Sequence, residues 1–521
     1  MGRWLSAALV LGLTGCTMVG PDFETPDATV SNEWLATDRP EIVGTPDDHG
    51  QWWKNFNDPT LDRLIETAYR QNLTLQLAGL RVYEARAILG YASGTLYPQV
   101  QGINGSAASI NLSENSDPVS NLPPAVGSMV DTSFDRYSLT FDAAWELDFW
   151  GKFRRGVESA DANLAGSIAT YDDILVTLSG EVATAYIVLR TLEQRLAYAR
   201  NNVATQQRSL EIADVRFRNE LVTELDVQLS RSLLEATGST IPLLESSIDR
   251  TRLALSLLLG LPPSGLSDII SESGHIPDVP ESIAVGIPAD LLRRRPDIRR
   301  HEMRAAAQSA RIGIAKADFY PALRLGGNIG WSAGSSSDLF DSGSDVSFGG
   351  VGFSWKILNY GRLRNNERVQ DARFQQTVLA YENSVLNAAR EVEDGLARFS
   401  RSGDRVDHLH KSVVAARRAV ELAQTQYRDG IISYTLVLDS LQFLSLNEDL
   451  LATARGEEAR SLVATYKALG GGWQIREGND YISDDIRETM QERTDWGELM
   501  EASSVEPVEA GQRGSWRLPD R

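Results

Sequence analysis

The sequence predicts a mostly α fold that also carries membrane-type β-structure, built from one long unit used twice. Three observations predict it. First, Trp145-Glu-Leu-Asp-Phe-Trp-Gly151 recurs 210 positions later as Trp355-Lys-Ile-Leu-Asn-Tyr-Gly361. The register holds beyond it, with Glu211 matching Glu421, Phe217-Arg218 matching Tyr427-Arg428 and Gly260 matching Gly470. Second, each copy contains a long proline-free stretch, 151–218 and 361–428. Third, each copy contains segments in which apolar and polar residues alternate with period two.

The bulk composition fixes the class. With 521 residues, 23% charged and 42% hydrophobic, the chain is neither disordered nor a polytopic helical membrane protein. A net charge of −20 argues against nucleic-acid binding. The single cysteine, Cys16, follows Arg3, a short apolar run and Leu13-Thr-Gly. That order predicts a lipoprotein signal peptide over 1–15, with Cys16 as the lipid anchor of the mature chain. Thr17 at the next position favours the outer membrane. No disulfide and no thiolate metal site is possible with one cysteine.

The elements follow in order. After a lipidated extended segment (16–57), repeat 1 spans 58–260, with a β-hairpin at about 96–149 and a long helical hairpin at 151–260. In its second strand Tyr137, Leu139, Phe141, Ala143, Trp145, Leu147 and Phe149 share one face, and Ser138, Thr140, Asp142, Glu146 and Asp148 the other. A soluble sandwich alternates in the same way, but transmembrane barrel strands require this pattern too. Four such strands cannot close a barrel, and open edges are not tolerated in hydrocarbon, so several chains must pool their strands. The helical stretch carries Ile174, Leu178, Val182, Tyr186, Leu189, Leu192 and Leu196 at spacings of three and four. Its return arm contains Pro242, where a kink is expected. A linker (261–284) leads to repeat 2 (285–472), with a β-hairpin at about 321–358 and a helical hairpin at 361–470 that we expect to break near Ser400-Arg-Ser-Gly403. The 473–521 tail, with twelve Asp/Glu and six Lys/Arg, is expected to be flexible and coreless.

No catalytic or metal-ligating group stands out. Of His49, His275, His301, His408 and His410, only the last two are close, and an i,i+2 pair does not share a helix face. There is no phosphate-binding glycine loop to power transport.

Taken together, the motifs resemble those of the outer-membrane efflux proteins, the lipoprotein exit ducts of tripartite drug-efflux pumps in the TolC-like superfamily. The resemblance rests on Trp52-Trp-Lys-Asn-Phe-Asn-Asp-Pro59 and on Leu291-Leu-Arg-Arg-Arg-Pro-Asp-Ile-Arg299. It also rests on Arg311-Ile-Gly-Ile-Ala-Lys316, the paired Trp-x5-Gly motifs and Ala468-Leu-Gly-Gly-Gly-Trp473. Thr74, His301, Leu441-Gln442 and Glu220 depart from the family pattern, the last two near the helix tips. The resemblance implies long helical hairpins forming a periplasmic α-barrel. It also implies a homotrimer whose four strands per chain make a 12-stranded barrel in outer-membrane lipid, working with a periplasmic adaptor and an inner-membrane RND-type pump. No cofactor is implied apart from the covalent lipid on Cys16. In such ducts the tunnel opens when the helix tips splay. The corresponding gate or adaptor-contact candidates are Arg218, Asp226, Arg428, Tyr434 and Asp439, and Asp142, Glu146 and Asp148 are candidate channel-facing residues that favour cations. The 13 extra residues of copy one, with Asn111 to Val130 lying between its strands, are expected to form a longer loop at the outer rim. A duct for type I protein secretion or metal export, and a lipid-anchored periplasmic scaffold without a pore, are the alternatives.

Overall fold

The computed structural model describes residues 18–28, 30–31, 33–35, 39–43, 45, 49–113, 123, 131–270, 274–290 and 294–500. Strand β1 (Ile42–Val43) leads to a short 3-10 segment, His49–Phe56, that buries Trp52, Trp53 and Phe56. Trp52 stacks on Tyr466 with ring centroids 5.5 Å apart, which ties the opening block to the last long helix. Helix α1 (Pro59–Gln71) starts where the Asp58 carboxylate accepts from Thr60 N at 2.8 Å, with Pro59 in its first turn. Asn72 then caps α2 (Leu73–Gly94) by accepting from Leu75 N at 2.9 Å.

Four strands form one antiparallel sheet in the order β2–β3–β5–β6: β2 (Val100–Asn111), β3 (Ser133–Leu147), β5 (Ala322–Ala333) and β6 (Asp345–Ser354). The weakest strand in the sequence, β2, is held by its register with β3, Gly105 opposite Leu139 and Ser106 opposite Ser138. Across the β3–β5 seam Leu139 faces Trp331 and Trp145 faces Leu325, while on the other face Asp142 meets Asn328 and Glu146 meets Arg324. One side of the sheet is therefore apolar and the other polar, and β2 and β6 are left as edges. Strand β4 (Ile283–Ala284) pairs in parallel with β1, so the N-terminal segment and the linker between repeats meet. Residues 114–122 and 124–130 of the expected rim loop lie outside the described residues.

Below the sheet run two helical hairpins. In the first, α3 (Lys152–Arg218) turns into α4 (Glu224–Gly238) and α5 (Thr240–Leu258); α6 (Pro296–Ala317) then leads to the second β-hairpin. In the second, α7 (Arg362–Arg428) turns into α8 (Tyr434–Ala468). Helices α3 and α7 are each 67 residues long, about 100 Å at about 1.5 Å per residue. Both begin after a glycine with positive φ, Gly151 at 76° and Gly361 at 81°, a conformation that turns the short segment after the strand into the helix. Among the described residues α3 alone contains an apolar stretch long enough to cross a membrane, but most of that stretch is buried in the bundle.

Two expectations are corrected. Helix α7 is unbroken at Ser400–Gly403. There the Ser400 hydroxyl donates to Glu41 and Ser402 to the Phe399 carbonyl, and Gly403 sits where a Cβ would meet Glu458 Oε1 at 3.2 Å on α8. Tertiary packing overrides weak helix propensity. The tail is also not coreless: up to residue 500 it packs on the body, burying Tyr481, Ile482, Met490 and Met500, with a helix α9 (Asp484–Arg493). Its apolar residues are too sparse to look periodic, and polar ties hold it: Tyr83 Oη donates to Asp480 at 2.7 Å, and Arg476 pairs with the fully buried Asp172. Near Pro242 the return arm of hairpin 1 divides, at Ser239.

Candidate functional site: the helix tips and the strand face

Cys16 lies outside the described residues. Two residues beyond it the chain is already fixed to the base of the sheet. Val19 N donates to the Trp150 carbonyl at 3.1 Å, and Met18 packs so closely on Gly151 that a Cβ there would meet it at 2.6 Å. Arg155, 1% exposed, pairs with Asp22 at 2.7 Å and Glu158 at 2.7 Å and donates to the carbonyls of Val19 and Gly20.

The acidic strand face is smaller than the sequence implies. Asp142 accepts from Asn104 Nδ2 at 2.6 Å and Thr140 Oγ1 at 3.0 Å. Glu146 is paired with Arg324 at 2.9 Å, so its charge is largely neutralised by the neighbouring strand. Asp148 is a correction: it lies past the end of β3 and caps α3, accepting from Phe153 N at 3.0 Å and Arg154 N at 2.9 Å. A carboxylate at a helix start satisfies free N–H groups and matches the helix dipole, which is why it is there.

At the far ends of the hairpins, the five candidates divide. Tyr434, first residue of α8, is 2% exposed, and its hydroxyl lies 2.8 Å from Ser209 Oγ of α3 and 2.8 Å from Ser230 Oγ of α4. One phenol thus joins hairpin 2 to both arms of hairpin 1. Burial raises its pKa, outweighing the two serine hydrogen bonds, so it remains a neutral donor and acceptor. Asp226 serves the local fold, accepting from Thr223 N and Thr223 Oγ1, both at 3.2 Å, in a capping box that starts α4. Arg218 pairs with Asp214 one turn back. Among the described residues Arg428 reaches only its own helix, at Thr425 Oγ1 (3.2 Å) and the Gln424 carbonyl. Asp439 is exposed and forms no ion pair among the described residues.

The contacts that join the two hairpin tips also involve residues outside the five candidates. Arg216 Nη1 donates to the Tyr427 carbonyl near the end of α7, and its guanidinium sits 4.3 Å from the centre of the Tyr427 ring. Tyr427 in turn packs on Tyr434 with centroids 4.9 Å apart. Only Tyr427 carried a sequence signal, as the aromatic that answers Phe217 in the duplication; Ser209, Ser230 and Arg216 look like ordinary helix surface.

This architecture is shared with known proteins. The family model described as outer membrane efflux protein matches residues 64–261 and 287–471. The pyoverdine export outer membrane protein OpmQ of Pseudomonas putida is 32% identical over 443 residues, covering 85% of this chain and 92% of that protein. The toluene efflux pump outer membrane protein TtgF of Pseudomonas putida is 30% identical over 485 residues, 90% of this chain and 97% of it. Among solved structures, the outer-membrane channel OprN superposes with a TM-score of 0.81 at 32% identity, over 88% of this chain and 99% of that one.

Proposed function

This chain belongs to the outer membrane efflux protein family and is an outer-membrane efflux channel with a large periplasmic helical portion, and we propose that three copies form the passive exit duct of a tripartite pump. A periplasmic adaptor and an inner-membrane RND-type pump would deliver the cargo, and the lipid on Cys16 would hold the duct at the membrane. The observation that carries the trimer is the sheet itself. It has one apolar and one polar face and two open edges, β2 and β6, that a single chain cannot close. Three such sheets joined edge to edge give a closed barrel. The duct needs no catalysis of its own, because energy comes from the pump.

The test is direct. The detergent-purified protein should run as a heat-sensitive trimer and conduct in planar bilayers. Absence of both the trimer and any current would sink the proposal.

For the gate, the reading that fits best is that Tyr434, with Arg216 and Tyr427, holds the two hairpins together, and that Arg428 and Asp439 act between chains or towards the adaptor. Of the three acidic candidates, we assign only Asp142 to the lumen charge, since Glu146 is paired and Asp148 lies past the strand and caps a helix. A weak cation preference in reversal potentials is then expected, and it should vanish in Asp142→Asn. A strong anion preference in the unmodified protein would refute the assignment.

A further inference from the structure

The seam where α3 faces α8 is polar at two levels and apolar between them. At the tip, Tyr434 meets Ser209 and Ser230. Higher up, Asn202 Nδ2 donates to Glu448 Oε2 at 3.1 Å, and Arg417 of α7 reaches Glu448 Oε1 at 2.8 Å. Glu448 is 5% exposed. Asn202, Gln206 and Ser209 stand at i, i+4 and i+7 on one buried face of α3, so Gln206 lies between the two ties.

Gln206 is 2% exposed, and neither its Oε1 nor its Nε2 has a hydrogen-bond partner among the described residues. The facing chemistry explains why. Between Tyr434 and Asn447 the buried side chains of α8 are Val437, Leu438, Leu441 and Leu444, none of which can bond an amide. At the end of α7, the hydroxyl of Tyr427, whose ring packs on Tyr434, is likewise buried without a partner among the described residues.

An independent feature marks the same level. The return arm of hairpin 1 is interrupted at Ser239, just below the Arg200–Glu245 ion pair (2.8 Å) that fixes its register with α3.

We propose that the buried, unpartnered Gln206 amide is a built-in bias towards opening, and that the Asn202–Glu448–Arg417 network is the level at which opening stops. The proposal rests on the reading of the chain as a gated duct. In the joined state the amide is cut off from water and has nothing in its place; when the seam parts from the tip upwards, water restores those hydrogen bonds. The opening halts where parting would take Asn202 away from the Glu448 carboxylate, which then keeps only Arg417 of its own hairpin.

The test uses single-channel recording of the full-length trimer carrying Gln206→Leu, an apolar side chain of similar size. Its open probability should fall about tenfold, equivalent to about 1.4 kcal/mol, with trimer heat-stability and membrane insertion retained. Gln206→Ala, which also removes the amide, should move it in the same direction. Glu448→Gln should do the opposite and lengthen the openings. A wild-type trimer that gates, with Gln206→Leu and Gln206→Ala opening as often as it does or more, overturns the inference alone. A wild-type trimer that never conducts overturns the duct reading and this inference with it.

Discussion

The two helical hairpins come from one repeated sequence, and their outgoing arms, α3 and α7, are equally long. Their return arms differ. Hairpin 2 returns as a single 35-residue helix, whereas hairpin 1 returns as 15 and 19 residues with an interruption at Ser239. Pro242 causes it: proline has no N–H to give the Gly238 carbonyl, and its ring crowds that turn. The turns differ as well. Gly430 takes φ of 74° without cost, while Glu220 takes 60° at the matching place. Hairpin 2 is thus a stiff lever with a relaxed turn, and hairpin 1 is a jointed arm with a strained one. The tips are joined by Tyr434, which comes from the stiff member. In the proposed duct, a rigid lever that carries Tyr434 would transmit a push at its side to the tip, and the jointed partner would follow it.

The largest expected effect tests which hairpin owns the latch. Tyr434→Ala removes a buried aromatic and both serine ties, a change on the order of 3–5 kcal/mol for a buried ring. Tip closure should fail, read as a permanently raised conductance and a leakier outer membrane. The matching position in copy one is Glu224, which is exposed. Glu224→Ala should leave conductance unchanged, and if both variants leak alike the asymmetry is wrong.

Next in size is the joint. Pro242→Ala should let α4 and α5 fuse, and adding Gly238→Ala should contribute about 1 kcal/mol more. The doubly substituted trimer should melt at higher temperature and open less often. Placing proline at Ala452, the residue of α8 that matches Pro242, should cost about 3 kcal/mol or more, because Ala452 is fully buried in an unbroken helix. Smaller still is the turn swap. Glu220→Gly should stabilise by about 1 kcal/mol and Gly430→Ala should destabilise by a similar amount, seen in denaturant midpoints.

Which parts of this were legible in the sequence follows from the range of the interactions. The long helices, the strand parity and the duplication rest on local periodicity, so Tyr137–Leu147 and Gly151–Arg218 announce themselves. The fold of residues 473–500 does not. Tyr481 and Ile482 are core residues only because α2 offers them Gly79, whose missing Cβ leaves room for the Tyr481 carbonyl. Strand parity continues through Asp148, yet the chain leaves the sheet at Leu147 and the carboxylate caps a helix. At the tip, Tyr434 stood out as a phenol beside a turn, but its partners Ser209 and Ser230 lie more than 200 positions away, and no pattern within α3 or α4 distinguishes them.

The smallest effects on the chain itself are expected at Arg428 and Asp439. Both are exposed; among the described residues Arg428 bonds only to its own helix and Asp439 has no ion pair. Exposed charges of this kind contribute little to folding, so Arg428→Ala and Asp439→Ala should leave the melting temperature of the trimer unchanged. Any influence they have must come from a neighbouring chain or from the adaptor. Both variants should therefore reduce efflux, or raise conductance, at constant stability, and the effect should weaken as salt is raised because the interaction is between exposed charges. A stability loss as large as that of Tyr434→Ala would place these residues inside the latch rather than at its outer surface. Full efflux with unchanged conductance would leave Tyr434, Arg216 and Tyr427 to carry the closed state by themselves.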